Sequence, residues 1–94
     1  MKKTVPFNKI GIEKLPENKP VVYRIQTGAG ANNYTGVAKR GRVQERIGEH
    51  FAGARDPVPG VKVRIEQASS IREAEQRERG IIARSQPPYN KHHK

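Results

Sequence analysis

The stretch Val21 to Val37 constrains the chain most, because it reads as strand, tight loop, strand. In "VVYRIQ" (Val21 to Gln26), Val21, Tyr23 and Ile25 alternate onto one face, the period of a half-buried strand. "TGAGANN" (Thr27 to Asn33) is rich in the residues that accept hairpin-turn backbone, so "YTGV" (Tyr34 to Val37) should return antiparallel. A lone two-stranded hairpin is marginal in water and has to find partners. Val43, Ile47 and Phe51 recur every four residues and predict a helix of about three turns from about Gly41 to Phe51. "GARDPVPG" (Gly53 to Gly60) is a loop with two prolines. "VKVRIE" (Val61 to Glu66) predicts a third strand, with Val61, Val63 and Ile65 inward and Lys62, Arg64 and Glu66 outward. Ser70 and Glu73 form a Ser-x-x-Glu capping box that opens a second helix. That helix should run to about Ser85, where "QPPYN" (Gln86 to Asn90) stops it.

The expected fold is therefore α/β (α+β): a small three-stranded, mainly antiparallel sheet with flanking helices, in the order β-β-α-β-α. Residues 1–19 show little apolar periodicity and are expected to be an irregular leader. Residues 20–90 form the folded domain, and 91–94 a basic tail, whose adjacent His92 and His93 are read as part of that tail rather than as a metal site.

At 94 residues and 33% apolar content with no Trp, one small domain without a deep closed pocket is expected. Lys and Arg total 19 against 9 acidic residues, a net charge of +10, which points to a polyanionic partner. No apolar run approaches the ~18 residues of a spanning helix, and "MKKTVPFNKIG" lacks a signal-peptide apolar stretch. Nucleic acid is thus the leading partner, no membrane is expected, and the expected location is the cytoplasm. The absence of cysteine excludes disulfides, thiolate zinc sites and thiol catalysis.

At ~100° per residue, Glu78 falls in the middle of the apolar stripe that Ile71, Ala74, Ile81 and Ile82 make on the second helix. A carboxylate there needs a basic partner, a metal, a shifted pKa or a helix rolled enough to wet it. Glu75, on the stripe's edge, competes with it. On the first helix, Arg46 and His50 are an (i, i+4) pair beside the apolar stripe. Tyr23 and Tyr34 sit on paired strands. Any one of these has an ordinary structural explanation. Together they supply what phosphodiester hydrolysis needs: a carboxylate for a divalent ion, a guanidinium to offset charge on phosphate, and an imidazole or phenol to move a proton.

The ordered set resembles the GIY-YIG nuclease family. "VVY" (Val21 to Tyr23) stands where that family has Gly-Ile-Tyr, and "YTG" (Tyr34 to Gly36) where it has Tyr-Ile-Gly, with the two tyrosines eleven residues apart. "AKRGRVQERIGEHF" (Ala38 to Phe51) is similar to the following segment, Arg46 matching the family arginine and His50 the His or Tyr four residues on. "ERGIIARSQPPYN" (Glu78 to Asn90) is similar to the closing motif, whose Glu-to-Asn separation selects Glu78 over Glu75. The match covers residues 20 to 90. It departs from the family at Val21, Val22 and Thr35, and at Val37, where many repair-type members have lysine; Lys39 is a candidate to serve instead.

The resemblance implies a metal-dependent DNA endonuclease, structure-directed or weakly sequence-specific. Glu78 would hold one divalent ion, Mg²⁺ or Mn²⁺. Arg46 would stabilise the transition state. Tyr23, Tyr34 and His50 would position and deprotonate the nucleophile, a water or a tyrosine. Asn90 would fix the C-terminal turn and the metal shell. Lys39, Arg40 and Arg42 are expected to hold DNA phosphates without reading sequence. Target choice would come from DNA shape or a partner protein. Two other readings stand beside this one: a nucleic-acid-binding module that keeps the fold without the chemistry, and a small basic component of a ribonucleoprotein.

Overall fold

The structure, a computed structural model, describes residues 1–93; Lys94 and the side chains of Lys91, His92 and His93, most of the expected basic tail, lie outside the described residues. The elements run β1 (Lys2–Pro6), α1 (Lys9–Glu13), β2 (Val21–Gln26), β3 (Asn32–Ala38), α2 (Val43–Gly48), β4 (Lys62–Gln67) and α3 (Ile71–Ser85), followed by a 3₁₀ segment, Pro88–His93. This is a small α+β fold built on a four-stranded sheet of order β1-β4-β2-β3, antiparallel at every pairing.

The β-β-α-β-α order of residues 20–90 is present, but the sheet has a fourth strand, and it comes from the segment expected to be irregular. β1 pairs with β4 from Lys2 opposite Glu66 to Pro6 opposite Lys62. Val5 alone is buried, and Lys3, on the same face, is only half-buried, so its strand pattern is too weak to stand out in sequence. Asn8 then caps α1 by accepting the Gly11 amide at 2.7 Å, and a Cβ on Gly11 would run into the Pro6 carbonyl. Ile12 and Leu15 carry this segment into the core.

The β2–β3 hairpin forms as the alternation predicts. Thr27 and Ala31 close its loop, Gly30 adopts φ +93°, and a register shift beside Ile25 and Gln26 leaves Tyr34 opposite Ile25. Val21, Tyr23, Ile25, Val63 and Ile65 therefore share one face with Tyr34 and are fully buried there, together with Val43 and Ile47 of α2. The other face carries Arg24 and Glu66 beneath α3. Val61, expected inside, precedes β4 and is 59% exposed.

The first predicted helix is shorter than its apolar spacing suggested. α2 ends at Gly48, and beyond it the backbone tightens to i→i+3 bonds, His50 to Ile47 and Phe51 to Gly48. The four-residue spacing of Val43, Ile47 and Phe51 survives because one tightened turn still returns Phe51 to the core, where it stacks on Phe7 at 5.1 Å.

Candidate active site

The site is built at the β3 side of the sheet, where α2 and α3 both approach that strand. Tyr23 projects from β2 with no exposed surface, and its hydroxyl lies 2.7 Å from His50 Nε2. On the other side of the imidazole, Nδ1 lies 2.8 Å from the Asp56 backbone oxygen. A carbonyl only accepts, so Nδ1 carries the proton and donates to it. Nε2 of the neutral ring is then an acceptor, and Tyr23 donates to it. Burial lowers the His50 pKa, Arg46 lowers it further, and contacts with Asp56 and Glu49 partly offset this.

Tyr34 completes a cluster of three rings: its centroid is 4.6 Å from His50 and 6.1 Å from Tyr23. Gly36 makes the cluster possible. A Cβ there would stand 2.6 Å from the Tyr23 hydroxyl and 2.9 Å from the Tyr34 ring, so a side chain at 36 would displace a phenol. Burial raises the pKa of both tyrosines, most strongly for Tyr23. Arg46 opposes the shift in each case through its positive charge.

Arg46 comes from α2 and is braced by Glu49, whose Oε1 accepts from Nη1 at 2.7 Å. Desolvation alone would lower its pKa; the two phenols and Glu49 outweigh that, and the net shift is upward. Glu78, half-buried on α3, exerts a field on both tyrosines and feels that of Arg46. Burial and then Glu75 raise its pKa, while Arg79 and Arg46 pull it down. Among the described residues the Glu78 carboxylate makes no hydrogen bond or ion pair, whereas every fully buried side-chain polar atom has a partner.

Asn90 stands apart from this cluster. It clamps the backbone of Thr35, accepting from its amide at 2.9 Å and donating to its carbonyl at 3.0 Å, which ties the C-terminal turn to β3 beside Tyr34. Lys39, Arg40 and Arg42 occupy the exposed turn between β3 and α2. Lys39 and Arg42 line a cavity of about 220 Å³ with Arg46, Ile71 and Glu75, while Arg42 also pairs with Glu45 at 3.1 Å.

Sequence reasoning missed three contributors. Glu49 was readable, being three residues from Arg46 on the same helix. Asp56 acts through its backbone carbonyl, which leaves no mark on residue identity. Glu17 caps α2 from the N-terminal segment: its Oε1 accepts the Val43 amide at 2.7 Å, a pairing across 26 residues that nothing local announces.

No protein-family model matches this chain, and no curated protein matches it. No helix among the described residues is long and apolar enough to cross a membrane.

Proposed function

We propose that this cluster is a DNA phosphodiester hydrolase site of the GIY-YIG kind. The observation that supports it most is the Tyr23–His50 hydrogen bond of fixed donor sense, within the fields of Arg46 and Glu78.

A divalent ion suits Glu78. The carboxylate is half-buried, without a partner among the described residues, and destabilised by its surroundings. No group of three or more His, Asp or Glu able to hold an ion occurs among the described residues. The lone Glu78 carboxylate is what Mg²⁺ can use, since that ion keeps several of its waters and binds through one or two carboxylates plus substrate phosphate. Bound there, it would supply Lewis-acid stabilisation of the phosphate and leaving oxygen.

The chain's own residues handle the proton and the charge. Neutral His50 accepts the Tyr23 proton at Nε2 while the Tyr23 oxygen takes one from the nucleophilic water. The net transfer is one proton from water to imidazole. No free phenolate forms, which matters because burial disfavours one. Tyr23 is enclosed in the free protein, so substrate has to part the β3 edge for water to reach it. Tyr34 lines that approach beside Arg46, whose guanidinium matches phosphate oxygens and offsets the charge that builds on them. Asn90 is a positioning residue: it holds the strand that carries Tyr34. Lys39, Arg40 and Arg42 hold backbone phosphates, and target choice comes from DNA shape or a partner protein.

The test is incubation of nicked or branched DNA with and without Mg²⁺, beside Glu78→Ala. Cleavage should require both the ion and the carboxylate. A Glu78→Ala protein that cuts at the wild-type rate ends the assignment. Wild-type protein that binds DNA in Mg²⁺ without cutting it would make this a binding module instead.

A further inference from the structure

The other face of the sheet carries a second concentration of positive charge. Arg24 on β2 stands directly opposite Arg64 on β4, and strand alternation turns both away from the Tyr23 face. Like charges directly opposite in a ladder are destabilising. Arg84 joins them from the last turn of α3, folding back so that its Nη1 lies 3.5 Å from where a Cβ on Gly80 would stand. With Arg24 it lines an open groove of about 650 Å³ along α3.

The acidic groups in that groove are already engaged. Glu66 accepts from Arg77 at 2.6 Å, and Glu73 accepts the Ser69 amide at 2.7 Å and faces Arg77 at 3.7 Å. Among the described residues, the side chains of Arg24, Arg64 and Arg84 make no hydrogen bond and no ion pair. Burial and then the charge of Arg64 lower the Arg24 pKa, Glu66 opposes them, and Arg84 adds to the lowering. A fold that keeps three unpaired guanidinium groups together carries a repulsion that a bound polyanion would relieve.

We infer that Arg24, Arg64 and Arg84 form a second phosphate-binding surface, which takes the sugar–phosphate backbone of a DNA duplex segment other than the one at the candidate active site. Guanidinium forks match phosphate oxygens bidentately. No aromatic ring lines the groove among the described residues, so it offers no platform for stacking the bases of a single strand. Backbone contact to duplex is what remains. The groove opens on the Arg24 face of the sheet and the Tyr23–His50 pair lies on the opposite face, so a straight duplex seated at one is turned away from the other. Two duplex segments reach both, as the arms of a branched DNA. This deepens the nuclease reading by naming a branched substrate, but the binding itself is measurable whether or not anything is cut.

The experiment compares the full chain with the triple variant Arg24→Gln, Arg64→Gln, Arg84→Gln, using fluorescence anisotropy on a labelled three-arm DNA and on a short linear duplex across a salt series. The slope of log affinity against log salt for the three-arm DNA should be lower by about 2–3 in the variant, since each neutralised phosphate contributes roughly 0.9. Binding to the short duplex should change less. The melting temperature should hold or rise, because like-charge repulsion is removed. Arg24→Lys, which keeps the charge, should retain most of the wild-type slope. Unchanged slopes on both DNAs overturn the inference, as does a loss of binding that only tracks a lower melting temperature. Wild-type protein that cuts nothing, yet shows the slope difference, sinks the nuclease reading and leaves this surface standing.

Discussion

α2 and α3 carry the candidate site's charged groups, and they are held by different means. α3 has fifteen residues and caps itself: Ser70 Oγ accepts the Glu73 amide at 3.1 Å, and Glu73 reaches back to the Ser69 amide and hydroxyl. α2 has six residues and no capping side chain of its own at Arg42. Its first amides are taken by Glu17, at 2.7 Å from Val43 and 3.4 Å from Gln44, and the Gln44 side chain returns a bond to the Leu15 carbonyl at 2.9 Å. A helix that short does not persist on its own. The long helix is placed by local signals. The short one, with Arg46 on it and His50 just beyond it, takes its place from a segment that also supplies β1 to the sheet.

Damage to α2 should therefore appear in cleavage, and damage to the α3 cap in stability alone. The largest effect is expected from Arg46→Ala: a roughly hundred- to thousandfold loss of cleavage, the usual cost of one transition-state charge contact, with little change in melting temperature. Wild-type cleavage by that variant, measured in single turnover on nicked DNA, would remove Arg46 from the chemistry. Next is Glu17→Ala, which strips two amides of a charged acceptor. It should cost about 1–2 kcal/mol of stability, and cleavage per folded molecule should fall as well, although Glu17 belongs to no catalytic motif. Smaller again is Ser70→Ala, at about 1 kcal/mol by denaturant titration, with cleavage per folded molecule unchanged. Equal effects of Glu17→Ala and Ser70→Ala on cleavage would erase the distinction between the helices.

The same contrast governs what could be read from sequence. Self-contained elements were legible: the β2–β3 alternation, the Ser70 cap with Glu73, and the place of Glu78 among Ile71, Ala74 and Ile81 each depend on residues a few positions apart. The Glu73 side chain differs in one detail, reaching Ser69 rather than the backbone of the cap residue. Elements fixed by distant partners were not legible. β1 has a single buried residue and is a strand because β4 offers it an edge. Val61 matched the inward pattern yet lies outside because the strand begins one residue later. At the site, the grouping of Tyr23, Tyr34, Arg46 and His50 followed from spacing, but the donor sense of the Tyr23–His50 bond came from a backbone carbonyl that any residue at 56 would provide.

The smallest expected effect, and the one that separates the helices most cleanly, is in the pH dependence of stability without divalent metal. His50, following α2, is held below its ordinary value of 6.5, first by burial and then by Arg46 against Asp56 and Glu49. The unfolded chain therefore binds this proton more readily. The contribution of His50 is complete above 6.5 and is lost as pH falls toward its lower folded value. Glu78, on α3, is held above its ordinary value of 4.5, first by burial and then by Glu75, against Arg79 and Arg46. Its folded state binds the proton more readily, so that contribution is present below 4.5 and is lost as pH rises through the raised value. Acidifying the wild type sets the two groups against each other, and Glu78→Gln leaves His50 unopposed. The variant should melt higher than wild type at about pH 7 and lose that margin as the pH falls through the raised Glu78 value toward 4.5, because only the wild type regains stability by protonating Glu78. The remaining carboxylates are common to both proteins and cancel in the difference. Melting curves that stay parallel across that range would mean that Glu78 is solvated like any surface carboxylate, with no destabilised charge for an ion to relieve.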